Sequence, residues 1–170
     1  MTATLKAGDI NIETYGHLPS VGESAPDFIL ANQFLADVSL RDFAGKSIVM
    51  NIFPSLNTPV CACSMFEMEK IAVSHPNIYV MCISADLTFA QKKFLQDERI
   101  NGPIIALSTF RSPGFGKKYG IGVSSGPMTG LLSRAIFVIN KEQKVHYVEQ
   151  VQNMLNEPDY VSLQMAIDSL

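Results

Sequence analysis

With 170 residues, 47% of them hydrophobic, the chain is long enough for one compact domain with its own core and too short for a comfortable pair. Its formal net charge is −3 and its 13 lysines and arginines are scattered, which excludes an electrostatic footprint for nucleic acid or an anionic membrane. A single domain over 1–170 acting on a small partner is the expectation.

The opening segment, Met1 to Ser24, has no basic start followed by an apolar run, so it does not read as a secretory signal. No apolar run reaches the roughly 18 residues of a membrane span. The three cysteines, at 61, 63 and 82, are an odd number in a chain without an export signal. They argue for reduced thiols in a soluble, cytoplasmic protein rather than a disulfide framework.

In chain order, the first 20 residues alternate weakly, Thr2-Ala3-Thr4-Leu5-Lys6 and Asp9-Ile10-Asn11-Ile12-Glu13 around Gly8, which predicts a small polar hairpin. Ile48 to Phe53 and Ile78 to Ile83 are nearly continuous apolar runs. Strands of that kind are covered on both faces and favour a central parallel sheet. Between them, Cys61 to Ser74 has helical spacing, with Ala62, Met65, Met68 and Ala72 on one face and His75-Pro76 as the stop.

A second helix is expected after Asp86, capped by its side chain, with Leu87, Ala90 and Phe94 on its apolar face as far as Gln96. Ile104 to Leu107 reads as a strand, Phe110 to Tyr119 as a short helix, and Gly120 to Gly130 as a loop leading to Arg134. Ala135 to Ile139 and Val145 to Glu149 flank a turn, and a last helix follows Asp159. The whole reads as a mixed α/β fold, parallel units followed by a hairpin and a closing helix.

The chemistry concentrates at Asn51 to Ser64. In α/β sheets, reactive groups lie beyond the C-terminal ends of strands, where following helices begin. Thr58 is a good cap and Pro59 a favoured first helical residue, which places Cys61 in the first turn. Free backbone N–H groups and the helix dipole there stabilise an anion and favour the nucleophilic thiolate. The competing reading is a small buried hydrophobe. Cys63, about 200° further round the helix, should point away from Cys61 into packing, and Cys82 reads first as core. A zinc site on Cys61, Cys63 and His75 lacks the spaced ligand pairs such sites use, and there is no C-x-x-C for dithiol exchange.

Pro54-Ser55-Leu56-Asn57-Thr58-Pro59-Val60-Cys61 resembles the P-x-x-x-T-x-x-C signature of peroxiredoxins. The segments "MCISADLTFAQKKF", "IALSTFRSPGFGKKYG" and "GPMTGLLSRAIFVI" are similar to those of the bacterial thiol peroxidase branch, so the resemblance covers nearly the whole chain. It implies a thioredoxin-like fold with an N-terminal hairpin extension over 1–20, and a homodimer. It also implies reduction of hydroperoxides without metal or cofactor, recycled by thioredoxin or a low-molecular-weight thiol. By position, Cys61 is the peroxidatic cysteine, Thr58 the neighbouring hydroxyl, Pro54 the pocket-shaping residue and Arg134 the arginine facing the sulfur. Read alone, Thr58 is only a cap and Arg134 only a solvated residue at a strand start.

One departure stands out: where that branch usually carries its resolving cysteine, this chain has Leu95. Three routes then remain for a Cys61 sulfenic acid: an outside thiol, Cys82 after local unfolding, or Cys63 after unwinding of the first helical turn. The outside thiol ranks first, because both internal cysteines are misplaced for a disulfide. Two further readings on the same fold stay open, a peroxide sensor with little turnover and a metal-binding protein using Cys61 and Cys63.

Overall fold

The computed structural model describes residues 3–170. Strands β1 (Ala3–Ala7) and β2 (Ile10–Thr14) pair antiparallel as a separate hairpin, turning through Gly8 at a positive φ of 65°. Thr2, part of the expected hairpin, lies outside the described residues.

The main sheet contains β3 (Ile29–Asn32), β4 (Asp37–Ser39), β5 (Ser47–Ile52), β6 (Ile78–Ser84), β7 (Ile104–Ser108), β8 (Ala135–Ile139) and β9 (Val145–Gln150), in the order β4-β3-β7-β6-β5-β8-β9. The continuous apolar runs form its middle: β5, β6 and β7 are parallel, and β5 is buried at every position. The outer neighbours are antiparallel, so the sheet is mixed, as a thioredoxin-like fold requires. Strands β3 and β4 have no counterpart in the sequence reading. They are four and three residues long, too short for either period to show, and hydrogen bonding to β7 rather than pattern makes β3 a strand.

The helices are α1 (Pro59–Ser74), α2 (Thr88–Asp97), α3 (Gly114–Lys118) and α4 (Tyr160–Asp168). Alternate residues of the sheet face opposite ways. Ile48, Met50, Ile52, Met81 and Phe137 meet Phe115 and Tyr119, while Val49, Phe53, Val80, Cys82 and Val138 meet α1 and α4. Met65, Met68 and Ala72 lie on the buried stripe of α1, as their spacing predicts, but Ala62 is only half-buried, and Cys61 and Ser64 take the inward places in the first turn. Helix α4 is capped by Asp159, whose carboxylate accepts from Val161 and Ser162 N–H.

Two helices differ from expectation. Asp86 does not cap α2: Leu87 occupies that place without a side-chain bond, because the Asp86 carboxylate turns back to the loop after β5. The buried face of α2 is Thr88 and Gln91, with Phe94 and Leu95 half-buried, while Leu87 and Ala90 are exposed. Gln91 turns inward because its amide reaches Ser84 Oγ and the Leu107 carbonyl. Helix α3 is half the expected length, since residues 109–112 close a turn through Ser112 N–H to the Thr109 carbonyl and Pro113 then starts the helix. Among the described residues, no helix is long and apolar enough to cross a membrane.

Candidate active site

The site begins where β5 ends. Phe53 and Pro54 are buried, Leu56 is buried, and Asn57, Thr58 and Pro59 come to the surface before the chain enters α1. Thr58 is the N-cap, its Oγ1 accepting from Cys61 N–H at 3.4 Å, and its hydroxyl donates to the Ser55 carbonyl at 3.4 Å. The hydroxyl is thus engaged with backbone, not with sulfur. Pro59 at the first helical position needs no hydrogen-bond partner, and Cys61 stands in the first turn with no exposed surface.

The loop is held from β6. Asp86 accepts from Ser55 Oγ at 2.7 Å, from Leu56 N–H at 2.9 Å and from Ser84 Oγ at 2.8 Å. Three donors on one half-buried carboxylate tie the segment carrying Pro54 and Thr58 to the start of α2.

Arg134 arrives from the strand next to β5, one residue before β8, where Ala135 pairs with Ile52, and is 1% exposed. Its Nη2 lies 3.3 Å from Cys61 Sγ, while Nε and Nη2 donate to the Met154 carbonyl at 3.2 and 3.1 Å. Nη1 is buried and has no partner among the described residues. Among the described residues, no carboxylate lies within ion-pair distance of it. A buried cation requires a counter-charge, and the sulfur is the group placed to supply one. A thiolate there gains a charge-assisted hydrogen bond as well as the helix N-terminus.

The other cysteines fall apart from this pair. Cys63 points away from Cys61, as its spacing requires, but into solvent rather than packing, on a face of α1 where Phe66 and Lys70 are exposed too. Cys82 is buried in β6 against Asn51, whose Nδ2 approaches its sulfur at 3.9 Å, and burial pushes its thiol up to about 12. Leu95 is half-buried on α2 and packs in the same apolar cluster as Cys61 and Cys82. Among the described residues, no three His, Cys, Asp or Glu side chains converge on one point.

Sequence reasoning missed three parts of the site. Asn51 was readable as the polar interruption of an apolar strand, and Asp86 as an acid where a helix begins. The Met154 carbonyl has no sequence signature, because any residue supplies one.

A thioredoxin-like sheet with a cysteine at a capped helix start and an arginine against its sulfur defines the class as thiol-based redox proteins. The family model described as Redoxin matches residues 20–163, and the chain belongs to that family. Proteins named thiol peroxidase from Mycobacterium tuberculosis and Mycobacterium bovis are 43% identical to it over 157 residues, 92% of each chain. Among solved structures, a peroxiredoxin-like protein from Aquifex aeolicus superimposes with a TM-score of 0.91 at 29% identity, covering 99% of both chains. A thiol peroxidase from Chromobacterium violaceum does so with a TM-score of 0.88 at 23% identity, over 98% of this chain and 95% of that one, a likeness of fold.

Proposed function

We propose that the protein is a thiol peroxidase that reduces hydrogen peroxide and organic hydroperoxides through Cys61. The observation that carries the reading is the 3.3 Å contact between a fully buried arginine and a fully buried cysteine at a helix start. The Cys61 thiolate attacks the distal peroxide oxygen; an S–O bond forms, the O–O bond breaks, and the leaving alkoxide or hydroxide takes a proton to become alcohol or water. Two electrons pass from sulfur to oxygen. Arg134 holds the thiolate with Nη2, and its unpartnered Nη1 is the donor for the oxygen on which charge builds up. Thr58 fixes the turn that aims the sulfur, and Pro54 walls the pocket. Phe53 and Met65, both buried, pack in the apolar cluster that holds Cys61.

With Leu95 at the usual resolving position, the sulfenic acid is reduced by an outside thiol, thioredoxin or a small one, in the cytoplasm. Cys82 is the internal alternative, but its buried thiol, held up near 12, is a poor nucleophile at neutral pH. A homodimer is the expected assembly, in keeping with the exposed Leu87, Phe89 and Phe110.

Peroxide consumption in the presence of thioredoxin, and separately of a small thiol, tests the reading. Catalytic loss in either, abolished in Cys61→Ser, is the expected result. A single stoichiometric burst with both reductants would favour the peroxide sensor instead. Intact mass spectrometry after one equivalent of peroxide tests the resolving step, and a dominant Cys61–Cys82 disulfide would reject the outside thiol.

A further inference from the structure

Beneath the first turn of α1 runs a buried polar chain. Asn51 is fully buried and interrupts the apolar face of β5 between Val49 and Phe53. Its Nδ2 donates to Ser64 Oγ at 3.2 Å, and Ser64 Oγ donates to the Cys61 carbonyl at 2.8 Å. Accepting from the sheet and donating to the helix, the Ser64 hydroxyl is oriented from both sides. Asn51 Oδ1 has no partner among the described residues. A buried unpaired acceptor destabilises a fold, so sheet packing alone would be better served by an apolar residue.

We propose that Asn51 and Ser64 are positioning residues that latch the turn carrying Cys61 onto β5, and that the latch sets how often the oxidised sulfur becomes reachable by a reducing thiol. The proposal rests on Cys61 being the peroxidatic cysteine. It concerns the fork that follows the first oxidation. A second hydroperoxide converts the sulfenic acid to sulfinic acid, transferring one oxygen and leaving as alcohol or water. A thiol instead attacks the sulfenic sulfur, forming an S–S bond while the hydroxyl leaves as water with the thiol proton.

The two branches make different demands. The first keeps the sulfur beside Arg134, where the first attack occurred. The second needs it brought to the surface, because Cys61 has no exposed area and a disulfide requires in-line approach of a bulkier sulfur. The turn has to lift, and besides the Thr58 cap and the Arg134 contact the lift is opposed by the side-chain bonds from Ser64 to the Cys61 carbonyl and from Asn51 to Ser64. A firm latch therefore favours over-oxidation when peroxide is abundant, and a weak one favours recycling.

The test partitions Cys61 between the two products. Protein is mixed with hydrogen peroxide and glutathione at a fixed ratio, and sulfinic acid and glutathione mixed disulfide on Cys61 are counted by mass spectrometry. Ser64→Ala and Asn51→Ala should each move the ratio toward the mixed disulfide by about five-fold, the factor carried by one hydrogen bond. The double variant should go no further, because the two residues act as one unit. Ile167→Val, a comparable loss of packing on the same sheet face outside the latch, should leave the ratio unchanged. Should Asn51→Ala not fold, Ser64→Ala, which removes only an oxygen, decides alone. An unchanged ratio in Ser64→Ala, additive shifts in the double variant, or an equal shift in Ile167→Val overturns the latch. Failure of the peroxidatic reading shows up elsewhere, as peroxide reduction that survives Cys61→Ser.

Discussion

Arg134 holds its guanidinium out of water, and the role proposed for it is open to substitution. Arg134→Lys keeps a charge but loses the planar fork that reaches Met154, the sulfur and a third acceptor together. The rate of the first oxidation, followed by stopped-flow with hydrogen peroxide, should fall about 10²-fold, the scale of one lost transition-state donor. Cys82 supplies a different measurement. Its thiol is raised from the usual 9.0 to about 12 by burial, so below pH 9 it is protonated in both folded and unfolded chains and stability does not depend on it. Between pH 9 and 12 the unfolded chain ionises first, and stability falls by about 1.4 kcal/mol per pH unit for this one group. Denaturant titrations across that window should show a shallower alkaline decline for Cys82→Ala. Tyr119, also raised by burial, contributes with the same sign and keeps some decline in the variant.

Helix α1 was legible from its residues, and α2 was not, for a physical reason. The cap, proline and methionine stripe of α1 are local signals, and all three appear in place. The buried face of α2 carries Thr88 and Gln91, polar residues satisfied by bonds to β6 and β7 that only the folded chain creates. A hydrophobic pattern search selects the exposed Leu87 and Ala90 instead. Leu95 lies on that helix, packed into the cluster that holds Cys61. Leu95→Cys should therefore let a disulfide form between Cys61 and the introduced thiol after one equivalent of peroxide, seen as a mass two hydrogens lower and a faster-migrating band under non-reducing conditions. A variant that still yields only the free sulfenic acid or an external mixed disulfide would show that replacing Leu95 alone does not restore the internal route.

Across the whole molecule, the site joins residues that no window of sequence contains. Cys61 and Thr58 are neighbours, whereas Arg134 was placed beside them only by likeness to a family, since a lone arginine before a strand announces nothing. Its anchor is more remote still. The Met154 carbonyl that receives Arg134 belongs to a segment pinned by β1: Lys6 N–H donates to the Gln152 carbonyl and Met154 N–H to the Lys6 carbonyl, both at 2.8 Å. Lys6→Pro removes the first of these donors at a position that spends its N–H outside the hairpin ladder. The first oxidation should slow by several-fold while the melting temperature moves by only a few degrees, a split that calorimetry and stopped-flow together would show. The same pin has a meaning for a chain still being made. Residues from its beginning must meet residues 152–154 before the arginine is fixed, and β8 must already have joined β5. A polypeptide emerging N-terminus first thus carries Cys61 without a fixed arginine beside its sulfur until residues 152–154 have been made and have met β1.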